Sequence, residues 1–211
     1  VTTLMSARLG IAMLVLGPLV VACVSQANRS LMARLAHQAT VDHLTGVLTR
    51  SAFTRRANAL LESRQQHAQA LPLTLMMLDI DHFKSINDAH GHAVGDQVLR
   101  QFASTLQDQL HNDELIARLG GEEFVVILPG LAPERANFIA ERLRRAIQDL
   151  HVVQADQRLQ ITVSIGVAGC DADMPAPSLD ELLASADQAL YRAKARGRNR
   201  VEQAEAQRLV I

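Results

Sequence analysis

The chain has 211 residues, 48% hydrophobic and 20% charged, with a formal net charge of −1. That balance supplies no basic field for gripping duplex nucleic acid, so no nucleic-acid partner is expected. Two cysteines, Cys23 and Cys170, without a CxxC pair exclude a disulfide framework and a thiolate zinc site, and fit a reducing compartment.

Leu9 to Ala27, "LGIAMLVLGPLVVACVSQA", is 19 residues without a charge, about the length that crosses a bilayer core. Gly17 and Pro18 interrupt it, which membrane helices tolerate. Arg29 and Arg34 follow while Arg8 alone precedes it, so the positive-inside bias puts its C-terminal side in the cytoplasm. We therefore expect a transmembrane helix within residues 1–27, at the inner (cytoplasmic) membrane. The competing reading is a cleaved signal peptide, since "VVAC" ending at Cys23 resembles a lipoprotein cleavage site. An opening valine leaves room for further spans or domains upstream. Leu31, Leu35 and Ala39 then share one helical face, which suits a linker or signalling helix over 28–41 paired with a copy of itself.

The rest alternates strands and helices. "LTLMMLDI" (73–80) reads as a central strand, and Val94, Val98, Phe102, Leu106 and Leu110 line one face of a helix. "LIARL" and "EFVVIL" flank a Gly120-Gly121 turn as a hairpin. Pro133 opens a helix expected to carry Phe138, Ile139, Leu143, Ile147 and Leu150 inward. "ITVSIGVA" (161–168) is a further strand, and Ser178 with Glu181 forms a capping box for a last helix to about Ala195. The pattern is α/β, with a central mixed sheet that contains an antiparallel hairpin and is surrounded by helices.

Charge sits where such a sheet presents ligand groups. Asp79 and Asp81 end the strand at 73–80, and Glu122 and Glu123 begin the strand after the glycine pair. Carboxylates converging from separate strands repel unless a cation binds them, and hard oxygen donors favour Mg²⁺ or Mn²⁺ over zinc. The plainer reading is that Asp81 or Glu123 caps a helix or pairs with an arginine. Only two of the 21 basic residues are lysine. Lys84 follows Asp79 closely, where the N–H groups of His82 and Phe83 can form a nest for anionic oxygens. Lys194 and Arg198 lie one turn apart, and a compact ammonium suits phosphate. His82, His90 and His92 could suggest a histidine metal site, but no helical i, i+4 pair forms; a structural role for His92 in the turn fits better. Asn87 and Asp96 flank that turn. An amide beside a carboxylate complements the Watson–Crick edge of guanine and leaves adenine unpaired.

From Asp42 to about Val201 these residues resemble a GGDEF domain, the catalytic module of diguanylate cyclases. The signature reads Gly120-Gly121-Glu122-Glu123-Phe124, the GGEEF variant. Around it stand "DHLTGVLTR" (42–50), "LDIDHFKSIND" (78–88), "GHAVGD" (91–96), "TVSIGVA" (162–168) and "ADQALYRAKARGRN" (186–199). Thr49 departs from the family's usual asparagine. The resemblance implies a fold like the nucleotidyl cyclase and polymerase palm over 42–203, with a tail over 204–211. It also implies an enzyme that condenses two GTP into cyclic di-GMP and two pyrophosphates as a homodimer. By the same resemblance Asp79, the Ile80 carbonyl and Glu122 hold Mg²⁺, Glu123 assists at the metal and phosphates, and Glu122 is also the candidate base for the 3′-hydroxyl. Asn87 and Asp96 match guanine-binding positions, and Lys84, Lys194 and Arg198 match phosphate positions, with His82 and Phe83 supplying backbone N–H groups. The family's inhibitory product site is degenerate here: Glu114 keeps its carboxylate, His111 replaces its arginine, and Arg142 resembles a secondary arginine. The alternative is a catalytically inactive GGDEF module that binds GTP or cyclic di-GMP as a regulatory domain.

Overall fold

The computed structural model describes residues 21, 24–26, 40–66, 71–111, 113–154, 157–172, 174 and 177–204. The chain divides into two compact units, Val1–Ala39 and Thr40–Ile211, and the sheet with its helices belongs to the second. The expected membrane span and linker helix lie outside the described residues, except Val21 and residues 24–26, which are helical and exposed, and Thr40 and Val41, which are not helical because Val41 bridges to Leu48 instead. Among the described residues no helix is long and apolar enough to cross a membrane.

The second unit is built on "LTLMMLDI", which forms β2 (Leu73–Ile80), buried at every position. Both faces of this strand need cover, because its side chains alternate across the sheet. Met76, Leu78 and Ile80 join a core under α2 (Phe83–His90), α3 (His92–Gln109) and α4 (Pro133–Gln148). Leu73, Leu75 and Met77 join a second core under α1 (Arg50–Gln66) and α5 (Leu179–Ala195). The six-stranded sheet between the helical layers has the order β1-β3-β4-β2-β7-β8, completed by β1 (Leu48–Thr49), β3 (Leu115–Gly120), β4 (Glu123–Pro129), β7 (Val163–Cys170) and β8 (Val201–Gln203). β2 runs antiparallel to both β4 and β7, whereas the outer pairs β1–β3 and β7–β8 are parallel. The mixed α/β sheet with its hairpin and surrounding helices is thus present. A separate two-stranded ribbon, β5 (His151–Gln154) and β6 (Gln157–Gln160), follows α4.

Three local expectations need correction. Phe138 is 78% exposed. The buried face of α4 is Pro133, Ala136, Ala140, Leu143 and Ile147, and at 100° per residue Phe138 falls opposite it. Leu150 lies beyond the helix and Ile139 is half-buried, both packed at the edge of the core. The hairpin turns at Gly121 and Glu122 rather than at Gly120 and Gly121, because Gly120 still pairs with Glu123 after a bulge in β3. Gly121 takes φ 52°, a left-handed value that glycine adopts without penalty. The strand expected over 161–168 starts and ends two residues later, since Gly169 and Cys170 still have Thr74 and Leu73 as partners. The α5 capping box forms as expected, with Ser178 accepting from the Glu181 N–H and Glu181 accepting from the Ser178 N–H.

Candidate active site

The acidic groups gather where β2 leaves the sheet. Asp79 pairs with Glu123 of β4 on one side and Ser164 of β7 on the other. Two carboxylates at opposed cross-strand positions repel. Lys194, in the last turn of α5, answers them by placing its Nζ 2.7 Å from Asp79 Oδ2. The Asp79 carboxyl is nevertheless held above its ordinary value of 3.8. Burial is the largest cause, Lys194 partly offsets it, and repulsion from Glu122 and Glu123 adds to it. Glu122 is half-exposed at the turn, and its carbonyl lies 3.5 Å from the Ile80 N–H.

Asp81 plays a different part. Its Oδ1 accepts from the Ser164 hydroxyl at 2.7 Å, and its Oδ2 accepts from the Thr162 hydroxyl at 2.8 Å and the Asn199 N–H at 3.0 Å. It is therefore committed to protein donors, and the acidic cluster consists of Asp79, Glu122 and Glu123. Among the described residues no three Asp, Glu, His or Cys side chains form a ready-made metal cage. Carboxylates are hard oxygen donors of the kind that divalent cations bind.

After Asp81 the chain turns through His82, which holds φ 58°, a region where histidine is enriched among non-glycine residues. Helix α2 then begins at Phe83, so the free N–H groups of its first turn and the exposed Lys84 lie directly after Asp79 in the fold. Asn87, on α2, meets α3 at Gly95: a Cβ there would fall on Asn87 Oδ1 and approach Phe83 Cζ to 3.2 Å. The amide thus lies against Gly95 of α3, the residue before the half-buried Asp96. His90 ends α2 and His92 begins α3, the latter exposed.

Gly95 was not singled out by the sequence, and neither was Arg118. The Arg118 Nε donates to the Gly121 carbonyl at 2.9 Å, and its guanidinium pairs with Asp42 at 3.2 Å. Burial works against ionisation of Asp42, but the Thr45 hydroxyl and N–H and the Arg118 charge outweigh it and lower its pKa. One guanidinium thus joins the start of the domain to the signature turn. An arginine two residues before a glycine pair was the available signal.

His111, Glu114 and Arg142, expected at a degenerate product site, are engaged locally. Glu114 Oε2 accepts from the His111 N–H at 2.7 Å, and Arg142 donates to the Gln109 carbonyl at 2.5 Å.

A two-sided α/β sheet with an acidic cluster at a central strand end, beside a helix N-terminus, is an arrangement suited to binding phosphate groups. Residues 39–200 match the family described as "Diguanylate cyclase, GGDEF domain", and the chain belongs to that family. It is 40% identical over 197 residues to the probable diguanylate cyclase DgcF of Escherichia coli K12, covering 92% of this chain and 61% of that one. The GGDEF domain of DgcB from Caulobacter crescentus, solved in complex with c-di-GMP, superposes with a TM-score of 0.73 at 36% identity, covering 80% of this chain and 95% of that one. The active GGEEF domain of a diguanylate cyclase from Vibrio cholerae gives a TM-score of 0.63 at 32% identity, covering 73% and 93%. The chain spans about three-fifths of the length of DgcF.

Proposed function

We propose that the chain is a diguanylate cyclase that condenses two GTP into cyclic di-GMP and two pyrophosphates with Mg²⁺, for which Mn²⁺ can substitute. The observation that carries this reading is Asp79 at the end of β2, bonded to Lys194 and repelled by Glu122 and Glu123, with Asn87 packed against Gly95 in the same domain. Asp79, the Ile80 carbonyl and Glu122 are assigned to the metal, and Glu123 to the metal and phosphates. Bound there, a divalent cation neutralises phosphate charge and acidifies the 3′-hydroxyl. Glu122 takes the proton as that oxygen attacks the α-phosphate of the second GTP and the bond to pyrophosphate breaks. The backbone N–H groups of His82 and Phe83, with Lys84, Lys194 and Arg198, hold the triphosphate. Asn87 and Asp96 read guanine by accepting from and donating to its polar edge.

Catalysis of this kind is mainly positioning and charge neutralisation, which these residues supply. One domain holds one GTP, so the reacting pair needs a second copy across a two-fold axis. The reading keeps residues 1–27 in the cytoplasmic membrane and 28–41 as the linker that raises the local concentration of the catalytic part, 42–203, in the cytoplasm. The Vibrio cholerae domain, described as active, carries the same two-glutamate signature and supports catalysis over a purely binding role.

The test is incubation of the purified chain with GTP and Mg²⁺, with identification of the product. Wild type yields cyclic di-GMP, and Glu122→Gln yields none while keeping its fold. Wild-type rates in that variant, with Mg²⁺ as the sole metal, would overturn the assignment.

A further inference from the structure

Arg198 and Asn199 are adjacent residues with side chains, yet both hold left-handed backbone, at φ 60° and 45°. Residues other than glycine take this conformation when their surroundings impose it, and such positions concentrate at functional sites. The surroundings here come from four elements. Asp81, leaving β2, takes the Asn199 N–H on Oδ2 at 3.0 Å. Asn199 Oδ1 accepts from Arg144 Nη1 at 2.9 Å, and its Nδ2 donates to Gln148 Oε1 at 3.1 Å, both on α4. Arg144 Nη1 also donates to Gln148 Oε1 at 2.7 Å, which closes the polar set. Behind the turn the Arg198 N–H donates to the Ala193 carbonyl of α5 at 3.0 Å. Ahead of it the Arg200 carbonyl accepts from the Ile165 N–H of β7 at 2.9 Å.

We propose that Asp81 and Asn199 are positioning residues for the substrate triphosphate: together they clamp the left-handed turn that aims Arg198 and fixes the end of α5 carrying Lys194. This rests on the diguanylate cyclase reading and extends it beyond the groups that touch substrate. Asp81 is only 4% exposed, and its oxygens are taken by Thr162, Ser164 and Asn199. Its carboxylate serves as a hydrogen-bond acceptor rather than as a metal ligand. The division of labour follows from the neighbours each one meets: Asp79 lies in the ladder beside Glu123, whereas Asp81 lies one step past the strand, opposite Thr162.

The distinction between acceptor and ligand is testable by conservative replacement. In Asp81→Asn the amide oxygen can take the Thr162 and Asn199 donors, and the amide nitrogen can donate to the Ser164 hydroxyl, which accepts as well as donates. In Asp81→Ala all three bonds are lost. Asn199→Gly keeps the left-handed backbone without strain but releases Arg144 and Gln148. Steady-state rates with GTP and calorimetric affinities for GTP and GMP are measured on the full chain, with thermal midpoints to confirm folding. Asp81→Ala and Asn199→Gly are expected to raise KM for GTP about tenfold, with a smaller fall in kcat. The same variants weaken GTP binding but not GMP binding, because GMP lacks the phosphates that the turn holds. Asp81→Asn is expected to recover most of the loss of Asp81→Ala at an unchanged Mg²⁺ requirement.

The clamp is overturned if Asn199→Gly leaves KM and GTP affinity at wild-type values, or weakens GTP and GMP alike. It is also overturned if Asp81→Asn is as damaged as Asp81→Ala and needs more Mg²⁺, the signature of a metal ligand. Should the wild type bind GTP yet form no product, the cyclase reading fails, and the ratio of GTP to GMP affinity still decides the clamp.

Discussion

Replacing Gly95 with alanine separates recognition of the base from stability of the fold. The added methyl group falls on the side-chain oxygen of Asn87. That oxygen is the free end of a half-buried side chain, so the amide swings aside while the helices stay in place. Within α3, alanine is better by about 0.8–1 kcal/mol than glycine in helix propensity, which offsets part of the crowding. Recognition has no such compensation. A displaced amide forfeits one or two neutral hydrogen bonds to guanine, each worth about 0.5–1.5 kcal/mol. The sum, roughly 0.5–3 kcal/mol, corresponds to about 2- to 150-fold in GTP affinity. Initial rates over a range of GTP, together with a thermal melt, provide the assay. The expected result is a KM raised within that range, kcat at saturating GTP little changed, and a midpoint within a few degrees of wild type. An unchanged KM in a folded Gly95→Ala protein would refute the placement of Asn87 against guanine.

Asp79→Asn is expected to stabilise the metal-free protein at neutral pH while abolishing synthesis. A carboxyl raised above its ordinary 3.8 contributes its full stability only below that value and loses it as pH rises through the raised one. The advantage of asparagine in melts with chelator should therefore vanish in acid, and a lower midpoint than wild type at pH 7 would contradict the reading. Gly166→Ala is expected to destabilise, because its methyl group meets the backbone of α5 at Ala186 and Leu190, which cannot swing aside. Overpacking of that kind costs about 1–3 kcal/mol, read as a midpoint lowered by about 2–4 °C for each kcal/mol in a domain of this size. Product inhibition through the surface at His111, Glu114 and Arg142 is expected to be weak. A lost arginine fork costs about 1–3 kcal/mol, and Glu114 is already occupied by the His111 N–H. Strong non-competitive inhibition by low-micromolar cyclic di-GMP that His111→Ala or Glu114→Ala relieves would show otherwise.

Much of this was legible in the sequence because it depends on short-range pattern. The apolar run at 73–80 is a strand since its burial is two-sided, and α5 begins at Ser178 because the capping box is local chemistry. Helix α1 gave a weaker signal: its inward face is Ala52, Phe53, Ala57, Leu61 and Arg64, two of them small and one charged. That arginine is buried because it donates to the carbonyls of Leu71, Asp171 and Met174, two of them far away along the chain. The edge strands β1 and β8 have two and three residues, too few for any periodicity. At the site, the chemistry of Asp79, Glu122 and Glu123 follows from residue type, but the division between Asp79 and Asp81 does not. It depends on which neighbouring strand each one meets. The service of Arg118 to both Asp42 and Gly121 is likewise a fact of three-dimensional proximity.

The central position of β2 also governs how the protein comes into being. Leu73 pairs with Cys170 and Ile80 with Val163, while the other edge waits for residues 123–129. At a synthesis rate of roughly 5–20 residues per second, the largely apolar "LTLMMLDI" emerges several seconds before its second partner strand exists. During that interval it presents two unsatisfied edges, the condition under which strands of different chains pair with one another. The parallel edge pairs add contacts between distant parts of the chain, which slow folding further. Expression at high rate therefore favours aggregation of nascent chains, and slower translation or a chaperone that shields residues 73–80 raises the yield of folded protein.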